Sequence, residues 1–488
     1  MNHRFLLSLL LFLILSSLFS CNAQSKNAGV MRVLSAQEEL YPDDCYVIDS
    51  VIDLKGKEMQ LPSCGRICFI KKGAIRNGTV YVDLNTYTID GGYGVFSNVK
   101  LLPKITLSNT DKTSLPAINA RWFGVINSTT IDNTAPLQFA INAAHSFAIP
   151  VLIPRGYYII TSSLKLYKGD VMTGEYTGHV SLSHQKGATF IRYKGKGNEI
   201  ISVEDDNVTL ENLVIAADVP YITDGISLKN NSGISFCMKN VVIANAKSGV
   251  SYKMEKNCGL SECVWEKVTI WNCRNGLLVE HNNDKGQYIT YNSFYNLNIS
   301  NIKEKGVSLR CRAINSTSFR DCLFANIGYG AAYDAKIQSE HYAIEALNDA
   351  KQGGITIDGG YFENIYYSKG GEPSSSAIDN SSAVFCVKNA SLTVSSVRFA
   401  NTRTIVNSKG KDNIVILNCI DNGFHRNNLG DDVSICRSNA NTNISIDSYS
   451  FDNEDKRIVD GKYVQSTRMN KILGVRDTKG KLVVLPQE

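Results

Sequence analysis

The sequence predicts an all-β fold, a parallel β-helix that winds three strands into each coil. Three observations carry this. Six segments end in the same phrase, apolar–any–apolar–any–Asn: 241–245, 268–272, 297–301, 322–326, 397–401 and 414–418. A seventh, 360–364, keeps the second apolar site and the asparagine. Alternation of this kind is strand periodicity, because successive side chains on a strand point to opposite faces. The first four asparagines, Asn245, Asn272, Asn301 and Asn326, fall 27, 29 and 25 residues apart, which is the length of one solenoid turn. Each phrase follows another alternating strand, and a glycine often opens a third strand after it: Gly249-Val250-Ser251-Tyr252, Gly276-Leu277-Leu278-Val279, Gly306-Val307-Ser308-Leu309. Stacked coils put Ile243, Ile270, Ile299, Phe324, Phe362 and Phe399 in one interior file. The asparagines then form a ladder at a bend. Asparagine tolerates the left-handed backbone of such a bend, and stacked amides can hydrogen-bond from coil to coil.

The elements follow in chain order. Arg4 precedes an apolar run from Phe5 to Leu15, and then comes Leu18-Phe19-Ser20-Cys21. Residues 1–20 read as a secretory signal, with an apolar run too short for a membrane span. The segment resembles the bacterial lipoprotein signal, in which cleavage precedes the cysteine and lipid is attached to it. That resemblance implies lipidation at Cys21, a flexible tether over 22–29, and a membrane contact made through the anchor alone. Residues 30–115 hold short strands broken by Gly and Asn turns, read as a small N-terminal β module.

At Asp132-Asn133-Thr134 a helix begins. Asp132 or Thr134 is the expected N-cap, Pro136 suits a first turn, and Leu137, Ile141 and Ala144 share one face. The strand and turn Val151-Leu152-Ile153-Pro154-Arg155-Gly156-Tyr157-Tyr158 follow. Together with Trp122-Phe123-Gly124 and Leu137-Gln138-Phe139-Ala140-Ile141, these residues resemble the entrance to pectate-lyase-like right-handed parallel β-helices. The resemblance implies a right-handed coil over 116–425 whose open end is covered by the helix. It also implies carbohydrate chemistry, since that superfamily includes polysaccharide lyases, glycoside hydrolases, epimerases and phage tailspikes. From 426 to 488 the pattern fades into polar sequence and short strands, expected as a C-terminal cap or accessory β segment.

The formal charge is only +5, compatible with a polyanionic substrate and, with the secretion signal, unfavourable for nucleic-acid binding. The chain has 23 Tyr, which suits sugar stacking and equally suits a β-rich solenoid. Of 13 cysteines, Cys237, Cys263, Cys322, Cys386 and Cys419 alternate with apolar neighbours and read as small core residues rather than a disulfide framework. Cys64 and Cys68 lack the further ligands a zinc site needs. No signal fixes an oligomeric state.

Loops read as lying between the third strand and the next coil, at 281–291, 334–354 and 367–382, are long and of unequal length. Insertions at one corner of a solenoid frame its binding face, which points to the first strand of each coil. Aligned on the phrase, the inward positions of those strands are Leu210, Met238, Trp265, Phe294, Phe319 and Ile357, all apolar. Their outward neighbours are Glu211, Lys239, Glu266, Tyr295, Arg320 and Asp358. With coils about 4.8 Å apart, the run from Lys239 to Arg320 spans roughly 15 Å, about three sugar units. Alternating charges on a solvated strand are also ordinary cross-strand pairing.

Cleavage of a uronic-acid polymer by β-elimination needs a base for the C5 proton and positive charge to neutralise the neighbouring carboxylate. Lys239, Tyr295 and Arg320, with His281 or His341 from the loops, are the candidate catalytic residues. Arg310, Arg312, Tyr288 and Glu266 are the candidate substrate contacts. Lys285, Lys336 and Tyr342 also lie in the segments read as loops. No metal is required. Ca²⁺ is an alternative neutraliser, with oxygens from Glu211, Glu266, Asp358, Asp218 and Asp224 as the conceivable donors. Glycoside hydrolysis is the rival reaction and needs two carboxylates. Thr223-Asp224-Gly225-Ile226 resembles the first acidic motif of polygalacturonase-type hydrolases. The downstream Asp-Asp pair, Asp431-Asp432, is remote and no Gly-His-Gly occurs, so Asp224 is not carried over, and Glu266 with Asp358, or Glu211 with Glu266, is the pair that keeps hydrolysis open. A third class is a non-catalytic, lipid-anchored glycan binder, compatible with Tyr288, Tyr291, Tyr295, Tyr361, Tyr366 and Tyr367. The expectation is a polysaccharide lyase acting on an acidic glycan (chondroitin, hyaluronan or pectin), on an outer-membrane lipoprotein of a Gram-negative cell, at the surface or the periplasmic face.

Overall fold

The computed structural model describes residues 31–33, 45–61, 66–83, 88–104, 115–175, 187–230, 232–281, 286–328, 341–349, 353–365, 382–402 and 404–421, and short stretches from 434 onward. Cys21, Lys285, Lys336, Tyr366, Tyr367 and Asp431-Asp432 lie outside the described residues. The fold is a right-handed parallel β-helix. One coil reads first strand Val264–Glu266, second strand Thr269–Trp271, third strand Asn275–Glu280. The next begins at Ser293–Tyr295 and pairs with it in parallel, Val264 with Ser293 and Glu266 with Tyr295.

Three bends close each coil, and in the coils from 237 to 326 each bend carries a residue in the left-handed region. Asn212, Asn240, Lys267, Asn296 and Asp321 turn the chain between first and second strands, with φ between 50° and 55°. Asn245, Asn272, Asn301, Asn326, Asn364 and Asn401 turn it between second and third, with φ between 50° and 59°. Ser235, Glu262, Tyr291 and Ser316 precede the first strands. The second-bend amides form the expected ladder: Asn272 Nδ2 donates to Asn245 Oδ1 at 2.7 Å, Asn326 to Asn301 at 2.9 Å and Asn364 to Asn326 at 2.9 Å. Asn418 is a correction. Its strand pairs with Ser391–Ser395, Leu417 opposite Ser395, so it belongs to the first bend. A strand followed by one left-handed residue describes either corner, and the phrase alone does not tell them apart.

The interior is apolar and continuous from Tyr46 to Ile446. Ile243, Ile270, Ile299, Phe324, Phe362 and Phe399 are register partners, all buried. Phe324 and Phe362 stack 4.9 Å apart with planes 4° from parallel. The first-strand file is also buried, with Trp265 and Phe294 at 4.9 Å and Phe294 and Phe319 at 4.7 Å. Behind the second bend, glycine is required by space: a Cβ on Gly276 would meet the Gly306 carbonyl oxygen at 2.1 Å. The chain passes too close to the neighbouring coil for any side chain there.

The helix Thr134–Phe147 turns Leu137, Ala140, Ile141 and Phe147 into the core and packs on Phe96–Lys104 and Leu164–Leu166. It thus covers the end of the main stack. Its N-cap is Asn133, not Asp132 or Thr134. Asp132 instead accepts from the Thr134 amide and hydroxyl, while the buried Asn133 side chain bonds Ile126. The strands at 45–104 form two sheets of their own, every pairing parallel. Beyond 421, Asn443–Asp447 adds to the first-strand sheet and Ser434–Ser438 to the third. The antiparallel pair Lys456–Val459 and Lys462–Gln465 ends the latter.

Candidate functional site

The register fixes the outward row of the first-strand wall. Glu211 pairs with Lys239, Lys239 with Glu266, Glu266 with Tyr295, Tyr295 with Arg320, and Arg320 with Asp358. All point outward because Leu210, Met238, Trp265, Phe294, Phe319 and Ile357 take the alternate, inward positions. Lys239, Tyr295 and Arg320 therefore share one wall. Lys239 Nζ lies 3.7 Å from Glu266 Oε2, and Lys267 reaches the other oxygen at 3.5 Å. The Arg320 guanidinium sits 5.7 Å from the centre of the Tyr295 ring, a cation–π contact. Asp358 accepts from Ser395 Oγ at 2.7 Å. Among the described residues Arg320 makes no ion pair within 4 Å.

The two histidines do not join this row. His341 is 2% exposed and its Nδ1 lies 3.2 Å from the Glu304 carbonyl oxygen. It immediately precedes the third strand Tyr342–Asn348, so it belongs to the corner between second and third strands rather than to a surface loop. His281, with 11% of its side chain exposed, directly follows the third strand Asn275–Glu280 and lies 3.3 Å from Asp349 Oδ2. Arg310 is on the outer face of the third-strand sheet, bonded to Glu345, and Arg312 is exposed just beyond it. Tyr288 lies in a short corner sheet, its ring against Gly259. Glu266 alone of the expected substrate contacts stands on the wall.

This revises the loop argument. The segments 329–340 and 366–381 connect second strands to third strands, whereas 282–285 follows a third strand. The two long connections therefore lie at the corner between second and third strands, away from the first-strand wall. The misplacement arose because Tyr342, read as loop, begins a strand. The conceivable calcium oxygens do not converge either. Glu266 serves two lysines, Asp218 pairs with Arg192, and Asp224 accepts from the Ser248 amide at 3.0 Å and Ser251 Oγ at 2.9 Å. Among the described residues no three His, Cys, Asp or Glu side chains are grouped to hold a metal.

Sequence reasoning missed the most enclosed charge cluster. Glu345, 1% exposed, accepts from Lys305 Nζ at 2.8 and 2.9 Å, Ser308 Oγ at 2.6 Å and Arg310 Nε at 3.1 Å. Burial pushes its carboxyl up, but Lys305 and Arg310 together with these hydrogen bonds outweigh that and hold it below the ordinary range. The available signal was a single acid inside the apolar run Tyr342-Ala343-Ile344-Glu345-Ala346-Leu347.

No protein-family model matches the chain, and no curated protein matches it in sequence. Solved structures similar to it include the tailspike of an Acinetobacter phage, at 9% identity and TM-score 0.48, covering 75% of this chain and 65% of that one. A tailspike of an Acinetobacter baumannii bacteriophage, described as a capsular polysaccharide depolymerase, is 11% identical with TM-score 0.44, covering 75% and 68%. An alginate lyase from Paenibacillus is 14% identical with TM-score 0.37, covering 64% and 97%. The chain thus spans about two thirds of the length of the first of these.

Proposed function

We propose that this protein cleaves an acidic, uronate-containing polysaccharide by β-elimination on the first-strand wall. The observation that carries the proposal is the register row holding Lys239, Tyr295 and Arg320 on consecutive or next-but-one coils, facing outward. A sugar carboxylate placed on Arg320 meets a guanidinium that has no ion pair among the described residues. That charge counters the negative charge that spreads into the carboxylate when C5 loses its proton. Tyr295, one coil away, is the group placed to take or return that proton. The C5–H electrons form the C4–C5 double bond, the C4–O bond breaks, and the departing oxygen takes up a proton. Lys239 and Glu266 hold the neighbouring sugar, the ammonium on a carboxylate and the carboxylate on hydroxyls. Glycosaminoglycan of the chondroitin or hyaluronan type and pectin are the substrates this chemistry suits. The lipoprotein-like segment ending at Cys21 supports tethering to an outer membrane, and the entrance motifs support membership of the pectate-lyase-like group.

The test is incubation with a panel of uronic polymers, following absorbance of the unsaturated product near ~232 nm, the signature of elimination. A rise with at least one polymer is expected. New reducing ends without absorbance would instead establish hydrolysis, and binding without either would establish a glycan-binding role.

A further inference from the structure

The outer face of the third-strand sheet carries a groove of about 890 Å³ that the wall chemistry does not use. Its floor is one register row, Ser227, Ser251 and Leu278 on successive coils. One rim is Asp224 and Ser248, and the other is Lys229, Lys253 and Glu280. The floor is low because two of its side chains are serines, while the rim of Lys229, Lys253 and Glu280 is long and charged. On the following coil the same three rows supply Lys305, Ser308 and Arg310. These close together on Glu345, the floor residue of the coil after that. The groove lining stops at Leu278 and Glu280, so this ion-pair cluster shuts one end. Two details set the face apart from ordinary solvated sheet. The Ser248 hydroxyl is buried at the rim and has no hydrogen-bond partner among the described residues, which is costly unless something completes it. Lys253 and Glu280 are register neighbours yet make no ion pair within 4 Å.

We infer that this groove is a second glycan site, binding a short oligosaccharide segment whose end abuts the Lys305–Glu345–Arg310 cluster. The floor covers three coils and the blocked end makes a fourth, a run of roughly 15 Å at about 4.8 Å per coil, which is about three sugars. The rims mix lysine with carboxylate. That arrangement offers donors and acceptors to a polyhydroxylated chain, whereas a polyanion such as nucleic acid calls for a one-signed track. Leu228, Tyr252 and Met254 bury their side chains, so among the apolar lining residues Leu278 is the one that faces the groove, less than a peptide's apolar side chains would require. The inference concerns binding and stands apart from cleavage on the wall.

The test uses the full chain in isothermal titration calorimetry with oligogalacturonates of two to six residues, chondroitin tetra- and hexasaccharides, and neutral cello-oligosaccharides as probes. At least one probe is expected to bind, with affinity rising up to the trisaccharide and then levelling. Ser251→Leu raises the floor with the side chain that Leu278 already places on the next coil, and is expected to weaken binding at least ~10-fold. Lys253→Ala, at an exposed rim position, is the second variant should the first fail to fold, and is expected to act in the same direction. Arg320→Ala on the wall should leave this binding intact even where it abolishes turnover. No binding by any probe would overturn the inference. So would unchanged affinity in both groove variants, or loss of all binding in Arg320→Ala.

Discussion

Replacing Glu345 by Gln should destabilise the coils it joins by about 3–5 kcal/mol at neutral pH, the usual cost of leaving a buried partner charge uncompensated. The structure indicates which partner dominates. Lys305, whose side chain is 14% exposed, donates two bonds to the carboxylate and is largely shielded from water. Arg310, 42% exposed, can turn outward, so its share is small. The Gln carbonyl can still accept from Ser308, which places the expectation near the lower end of the range. Replacing the two enclosed charges, Lys305→Met with Glu345→Leu, leaves only Arg310, which can turn outward, and should fall within about 1–2 kcal/mol of the wild type. In a stacked solenoid each coil leans on its neighbours, so a local probe is preferable to a global melt. Hydrogen exchange at the amides of Val307, Leu309, Ile344 and Ala346 should speed up by about two orders of magnitude for a loss near 3 kcal/mol. The pH dependence has a definite sign. The folded carboxyl lies below its ordinary value of 4.5. Its stabilisation is therefore complete above that value and fades as pH falls through the lowered folded pKa. The wild-type and Gln proteins should thus converge in acid. A Gln variant within 1 kcal/mol of wild type at pH 7, or a difference unchanged between pH 7 and pH 3, would refute the assignment.

Four further outcomes are expected. Lys239→Ala, Tyr295→Phe and Arg320→Ala should each lower turnover at least ~100-fold with circular dichroism unchanged; wild-type rates in all three would remove the wall from the chemistry. Asn272→Gly should be tolerated better than Asn272→Val in denaturant titrations. Valine at φ 53° costs roughly 1–2 kcal/mol of backbone energy, and both variants lose the amide bonded to Asn245 and Tyr221. Phe362→Ala, which empties a buried site packed between Phe324 and Phe399, should cost about 3–5 kcal/mol in the same assay. Burial pushes the Cys273 and Cys322 thiols up to about 12, so residue-resolved alkylation at pH 8 should leave both unmodified until the protein unfolds.

Much of the fold was legible because a β-helix repeats one local rule. The alternation of Val268, Ile270 and Asn272 states which side chains go inward and where the chain bends, and stacking copies that statement onto Ile299 and Phe324. The same argument placed Lys239, Tyr295 and Arg320 on one wall, since a residue beside an inward apolar position must point outward. Cys237 marks the limit of composition as a guide. Counted as a core residue by its apolar neighbours, it faces outward beside Thr209, two positions before Lys239, and is half-buried.

What the sequence by itself determined, then, was everything carried by period and by backbone type: the parallel coils, the buried files, the left-handed asparagines and the outward row of the first strands. What only the tertiary structure decided was which corner each connection occupies and which charges meet. Asn418 and Asn401 close the same kind of phrase yet turn different corners. His341 is buried where a loop was expected. Glu345 meets Lys305 across 40 residues of chain. The physical reason is that strand periodicity depends on the nearest few residues. Corner identity and ion pairing depend on which coil lies 4.8 Å above, and insertions of unequal length shift that register without changing any local pattern.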